Sequence, residues 1–469
     1  MRAKKTRLIL FDETGLSKER IHSLKLVILA VAFGTVCFNI TGGVAMTGYL
    51  KQLGVSDFAY GLILGIGPFT TVFQIFASYI LERTLKRKFI FMLSGILQRT
   101  AWLPFGLVPI IMPMSGPMAQ IWAAVLFFLV SSLSGPFVNV SFFSFAADIV
   151  PGHIRGRYFS IRSRIATVFG IAGGFLTAFL LDAFSGFSGY ALVFALASLF
   201  GLLDILTFIF IKFPPMAESQ SSSKLIPMLK DVLTHKKYMQ IIIFITIWLF
   251  TQQISGPFYL VYARTVLNLS NTAITLIFQI LNSICLLIVL PLWGRALDKY
   301  GNKPIMAISA RLGCILPFLW VFIVPGHYSY IPIIFASASA GLLVAGLDFG
   351  AQNLFLGQAP EKNRSMFVAI YFSITSIIGL GLAGMTGGWL LDNVFAPLEA
   401  MGYTLFGIEL NRYNYIFGVT AILRAFTAIV LLPRMIKEEN TQPVKTVFID
   451  AVHFIKQRRQ FIARRLKRM

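Results

Sequence analysis

Between two long apolar runs of this chain stands "GRALDKYGNK", Gly294 to Lys303. Its pattern recurs in weaker form 216 positions earlier in "SYILERTLKRK", where Ser78, Glu82 and Arg87 fall against Gly294, Asp298 and Lys303. A second pair of loops repeats with an offset of 209: "DIVPGHIRGRYFS" carries Pro151 and Arg155, "GQAPEKNRSMFVA" carries Pro360 and Arg364, and the same offset maps Asn139 onto Asp348. A third pair, "QRTAWLPFGLVP" and "ARLGCILPFLWVFIVP", sets Arg99 opposite Arg311. Self-similarity on this scale determines architecture before any single motif does. The chain reads as two copies of one unit.

Composition says what solvent those copies meet. Of the 469 residues 13% are charged and 57% hydrophobic, and the mean hydropathy is +0.76, whereas a soluble domain has about a quarter of its residues charged. Apolar runs of ~20 residues recur, each long enough as a helix to cross a ~30 Å hydrocarbon layer. Apolar windows place twelve helices near 24–48, 58–81, 89–111, 119–147, 159–182, 188–211, 239–262, 271–294, 304–324, 330–356, 366–391 and 413–433, numbered helix 1 to helix 12 below. The expected fold is all-α and integral to the membrane, with twelve transmembrane helices in two pseudo-symmetric halves of six. The chain divides into a cytoplasmic N-terminal segment (1–23), a first half (24–212), a cytoplasmic linker (213–238), a second half (239–433) and a basic cytoplasmic tail (434–469).

The net charge of +22 follows topology. With alternate loops assigned to one side, that side holds 35 of the 41 Lys and Arg, including all four of "RGRYFSIRSR"; the opposite loops hold only Lys51, Arg264 and Arg412. By the positive-inside rule both termini are cytoplasmic, and no nucleic acid is needed to explain the charge. Cys37, Cys285 and Cys314 all lie in apolar runs, as buried small hydrophobes do. Five scattered histidines offer no metal site, and no phosphate-binding Gly-x-x-x-x-Gly-Lys-Ser/Thr loop is present, so neither a cofactor nor enzyme chemistry is expected.

On these loops and their spacing the chain resembles the major facilitator superfamily of secondary transporters. Gly294, Asp298, Gly301 and Lys303 are similar to the family's cytoplasmic signature Gly-x-x-x-Asp-x-x-Gly-x-Arg/Lys, and the first copy is eroded at Ser78 and Leu85. The resemblance implies a permease that moves a small solute by alternating access, coupled to H+ or Na+, in the cell membrane. It also implies cytoplasmic latches formed by Glu82, Arg83, Arg87, Asp298 and Lys299 with Arg155, Arg157 and Arg364. Helices 1, 4, 7 and 10 line the solute cavity in that family. Their polar residues here are Asn39, Asn139, Gln252, Gln253, Asp348 and Gln352, with Gln74, Gln279 and Asn282 from the flanks. Because desolvation disfavours the charged form of a carboxyl group, Asp348 is the candidate cation contact or proton carrier.

Four further charges fall inside spans: Arg99, Asp204, Arg311 and Arg424. They sit on helices 3, 6, 9 and 12, the family's outer scaffold, and are expected as buried structural charges, with Arg99 and Asp204 able to pair. The expected partners are the bilayer, a small-molecule solute and a coupling ion, and a monomer is the expected functional unit. A transporter-like sensor or scaffold without net transport stays open as the alternative.

Overall fold

The computed structural model describes residues 17–84, 86–150, 155–213, 225–326, 330–358 and 364–435. The N-terminal residues, most of the Pro-Pro and serine linker and the basic tail lie outside these. Among the described residues eleven helical stretches are long and apolar enough to cross a membrane. The stretch expected at 89–111 is not one of them. It forms two helices, Arg87–Thr100 and Trp102–Ile111, that abut at Ala101, with Gln98 and Arg99 at the joint and Pro104 unable to donate to the preceding turn. The only strands among the described residues are Thr404–Leu405 and Ile408–Glu409, a small antiparallel hairpin before helix 12.

Two compact units emerge. The first draws on the described residues of Met1–Ser222 together with Ala263–Leu276, the second on those of Ser223–Tyr262 and Ile277–Met469. In the first, Leu24, Val27, Phe91, Phe145, Ile205 and Phe208 form a core beneath helices 1, 3, 4 and 6. In the second, Tyr238, Trp248, Met306, Leu347, Phe355 and Tyr371 do the same for helices 7, 9, 10 and 11. The outward faces expose Trp122, Phe143, Ile288, Phe335 and Ile422, side chains suited to lipid.

Two spans are interrupted. Helix 1 runs Lys18–Ile40 and resumes as Gly43–Gln52, with Gly43 at φ +50°. Helix 7 runs Lys236–Gln253 and resumes as Phe258–Thr265. Gly42-Gly43 permits the first break and Gly256-Pro257 the second, since glycine tolerates the turn and proline cannot extend the hydrogen-bond ladder. Helices 8, 11 and 12 contain π-helical stretches at Thr275–Leu281, Thr375–Leu382, Leu391–Phe395 and Thr427–Leu431. At two of them a threonine hydroxyl donates to the carbonyl four residues back, Thr375 to Tyr371 at 2.7 Å and Thr427 to Leu423 at 2.8 Å, supplying a partner where the ladder loosens.

Candidate functional site

In the first unit, the intramembrane charges gather around one cavity of about 210 Å³. Arg99 Nη2 lies 3.0 Å from Asp204 Oδ2. Small residues make the pair possible: a Cβ on Gly201 would stand 2.7 Å from Arg99 Cδ, and one on Gly34 would stand 2.6 Å from Asp204 Oδ2. Helix 6 therefore admits the arginine stem while helix 1 admits the carboxylate. The same cavity is lined by Thr35, Asn139, Phe142 and Arg162. Asn139 is exposed to it and makes no hydrogen bond among the described residues. Arg162 stands 5.1 Å from the centroid of the Phe142 ring, and its Nε is buried without a hydrogen-bond partner. Asn39, from the turn before the break in helix 1, donates to Thr35 O at 2.9 Å, and Gln74 is half-buried.

In the second unit Asp348 and Gln352 both lie on an exposed stripe of Tyr330–Gln358, one turn apart. Asp348 has no ion pair or hydrogen bond among the described residues. Arg424, on helix 12, is the buried cation of this unit among the described residues. That arginine is only 5% exposed, stands 5.9 Å from the Trp248 ring and leaves its Nε without a partner. Gln252 and Gln253 end the first segment of helix 7, and Gln252 Oε1 is buried and unpartnered. Asn282 Nδ2 is 3.4 Å from Ser337 O, and Gln279 lies in the π-helical stretch of helix 8.

Arg311 corrects its expectation. It is exposed, while the run Pro304–Ala310 just before it is buried. Its helix turns the arginine away from the core, so being the repeat partner of Arg99 does not give it a buried partner.

The loop residues expected as latches are placed by the structure at the ends of the helices. Gly301 caps helix 8 at φ +85°, a left-handed conformation that side chains other than glycine adopt at a cost. Gly294 is exposed with open space around it, Arg83 Nη1 is 3.1 Å from the Tyr79 hydroxyl, and Lys299 Nζ lies 2.9 Å from the Tyr300 hydroxyl. Lys303 is half-buried. Arg87 is buried, with Nη1 2.6 Å from Asp148 Oδ2 and 3.0 Å from Ser144 Oγ, so it joins helices 3 and 4. The side chains of Glu82, Arg155, Arg157, Asp298 and Arg364 lie outside those described.

One cluster had no forerunner in the sequence reading. Asp182, at the end of helix 5, accepts from the backbone N–H of Asn271 at 3.0 Å and of Thr272 at 2.9 Å, and from Asn271 Nδ2 at 2.7 Å. These amides begin the span Asn271–Leu297, where a carboxylate meets the positive end of the helix dipole. Arg264 donates to the Tyr190 hydroxyl at 2.9 Å and to Asn271 Oδ1. These bonds tie Ala263–Leu276 into the first unit. All three cations of the sparsely charged loops have a polar partner: Lys51 has Asp57 at 2.5 Å, Arg264 has Tyr190, and Arg412 has Asp392 at 3.7 Å.

Two helical units built from membrane-length apolar helices, two of them broken beside polar residues, define a multi-pass membrane protein. The sequence profile of the Major Facilitator Superfamily matches residues 26–284 and 249–466, and the chain belongs to that superfamily of secondary transporters. It shares its fold with a mutant form of the nucleoside transporter NupG (TM-score 0.68, 15% identity, covering 88% of this chain and 100% of that one). It is similarly close to the inward-open xylose transporter XylE from E. coli (TM-score 0.62, 15% identity, 90% and 98% covered). A bacterial homolog of the human lysosomal transporter Spinster, inward-facing and unoccupied, gives a TM-score of 0.63 at 15% identity, with 90% and 98% covered. No curated protein matches in sequence.

Proposed function

We propose that this protein moves a small solute across the membrane by alternating access of twelve spans arranged as two repeated halves, with both termini cytoplasmic and Asp348 as the site that couples an ion to the solute. The observation that carries the reading is the pair of broken helices. Helix 1 breaks one residue after Asn39 and helix 7 directly after Gln253, residues related by the sequence repeat. Interrupted spans at corresponding positions of two halves are where transporters place backbone carbonyls and amide side chains for a ligand. Asn39, Gln252 and Gln253 are accordingly solute contacts, with Asn139, Gln352, Gln74, Gln279 and Asn282 in supporting positions.

Ion coupling follows from Asp348. An acid without an ion pair inside a span is costly unless it serves a function, and a carboxyl that takes up a cation or proton on one side and releases it on the other supplies one. The cytoplasmic residues Glu82, Arg83, Asp298, Lys299, Arg155, Arg157 and Arg364 hold one conformation shut. Reconstituted vesicles provide the test, with solute flux measured with and without a proton gradient. Asp348→Asn abolishes gradient-driven accumulation but leaves solute exchange at equal concentrations intact. Loss of both, with normal folding, would make Asp348 a solute ligand rather than a coupling site.

A further inference from the structure

We propose that the cavity in the first unit is an anion site, and that Arg162 receives the carboxylate of a small organic acid there. The cavity holds Arg99, Arg162 and Asp204, two cations and one anion. Arg99 and Asp204 satisfy each other at 3.0 Å. Arg162 is left over: it has no carboxylate within ion-pair distance among the described residues, and its Nε is buried and unpartnered. A guanidinium offers five donors and never gives up its charge. Taken out of bulk water among membrane-spanning helices, it demands an anion or hydrogen-bond acceptors in return.

The surroundings suit one particular acceptor. The Phe142 ring, 5.1 Å from the guanidinium carbon, holds the guanidinium without using its donors. The donors that remain form a planar fork matched to a carboxylate. Asn139, exposed to the cavity and free of hydrogen bonds among the described residues, offers an amide to a second polar group of the ligand. At about 210 Å³ the cavity has room for a small acid. Asp204 keeps the site selective. With Arg99 it forms a neutral pair, so the net charge of the cavity is that of Arg162 alone and one negative group completes it.

That the acid is cargo rests on the transport reading; that an anion binds does not, and the two are separable. The full chain, purified in uncharged detergent without added lipid, is titrated with acetate, lactate, succinate and benzoate. The matching amides serve as neutral controls and inorganic phosphate as the competing anion, with binding read by calorimetry and by the shift in Tm. At least one carboxylate binds, its amide does not, Arg162→Gln weakens binding tenfold or more, and Arg162→Lys restores part of it. Equal responses of the wild type and Arg162→Gln to every carboxylate, including none, overturn the proposal, as does binding of phosphate alone. Because Arg162 has no ion-pair partner to strand among the described residues, Arg162→Gln keeps the wild-type Tm without ligand; a lower Tm would assign it a structural role instead. Vesicles then separate the readings: carboxylate binding without flux retains the anion site and removes transport, while flux of neutral solutes without carboxylate binding does the reverse.

Discussion

Arg99 and Asp204 are worth more as a pair than either is as a possible ligand. Removing one partner from a buried pair leaves the other charge uncompensated, typically at a cost of about 3–5 kcal/mol. This pair edges a cavity, where side-chain exposures of 17% and 11% admit some solvation, so Arg99→Leu is expected to destabilise by about 3 kcal/mol, the low end of that range. Asp204→Asn acts in the same direction and Gly201→Val forces the arginine stem out of its groove; denaturant titration in detergent measures all three. Wild-type stability of Arg99→Leu would show that water, not Asp204, satisfies the guanidinium. The pairing could be foreseen because a cation and an anion at similar depth in two apolar runs have few other choices. Arg162 could not, since "RGRYFSIRSR" reads as cytoplasmic charge and only the packing of helix 5 against helices 1 and 6, with the Phe142 ring of helix 4 over the guanidinium, turns one of its four arginines into a cavity. Arg311 shows the opposite failure: repeat equivalence implies a similar position along a helix but not which way the residue faces.

At the scale of elements, the N-terminus of helix 8 carries the least anticipated contact. Ser270 caps it from within the segment, accepting from the Ala273 N–H at 3.1 Å, while Asp182 of helix 5 accepts from the two preceding amides. An exposed carboxylate in this position contributes about 0.3–1 kcal/mol. Asp182→Asn is therefore expected to speed hydrogen exchange at the Asn271 and Thr272 amides by roughly two- to fivefold, the change that such an energy produces; unchanged exchange would mean that Ser270 and Arg264 suffice. In the sequence this aspartate is one acid in "LLDAFSG" at a span end, indistinguishable from a loop residue. The helix breaks were half visible: Gly42-Gly43 and Gly256-Pro257 mark them in the sequence, but the apolar runs on either side read as continuous spans. Helix 3 fell short of a membrane-length apolar stretch because the Gln98-Arg99 pair that identifies its buried charge also makes it less apolar.

For the whole molecule, the apolar runs and the family-like loops carried the all-α, multi-pass fold, because the length of apolar runs is dictated by a bilayer rather than by details of packing. What they could not carry is the division of the chain: Ala263–Leu276 belongs by sequence to the second half and by contact to the first unit, through bonds between side chains far apart in sequence. If the cytoplasmic loops latch one state, Asp298→Asn slows transport several-fold while leaving membrane insertion and abundance unchanged, as radiolabelled solute uptake in cells measures; normal uptake would remove the latch. Coupling itself is read most directly by enclosing a pH-sensitive dye in vesicles that contain the protein and adding a panel of solutes, charged and neutral, with no gradient imposed. Ion-coupled transport predicts that at least one solute drives proton movement across the vesicle membrane and that Asp348→Asn eliminates it while solute exchange persists. Proton movement that survives in Asp348→Asn would contradict the role of that residue, and solute exchange with no proton movement in the wild type would contradict proton coupling.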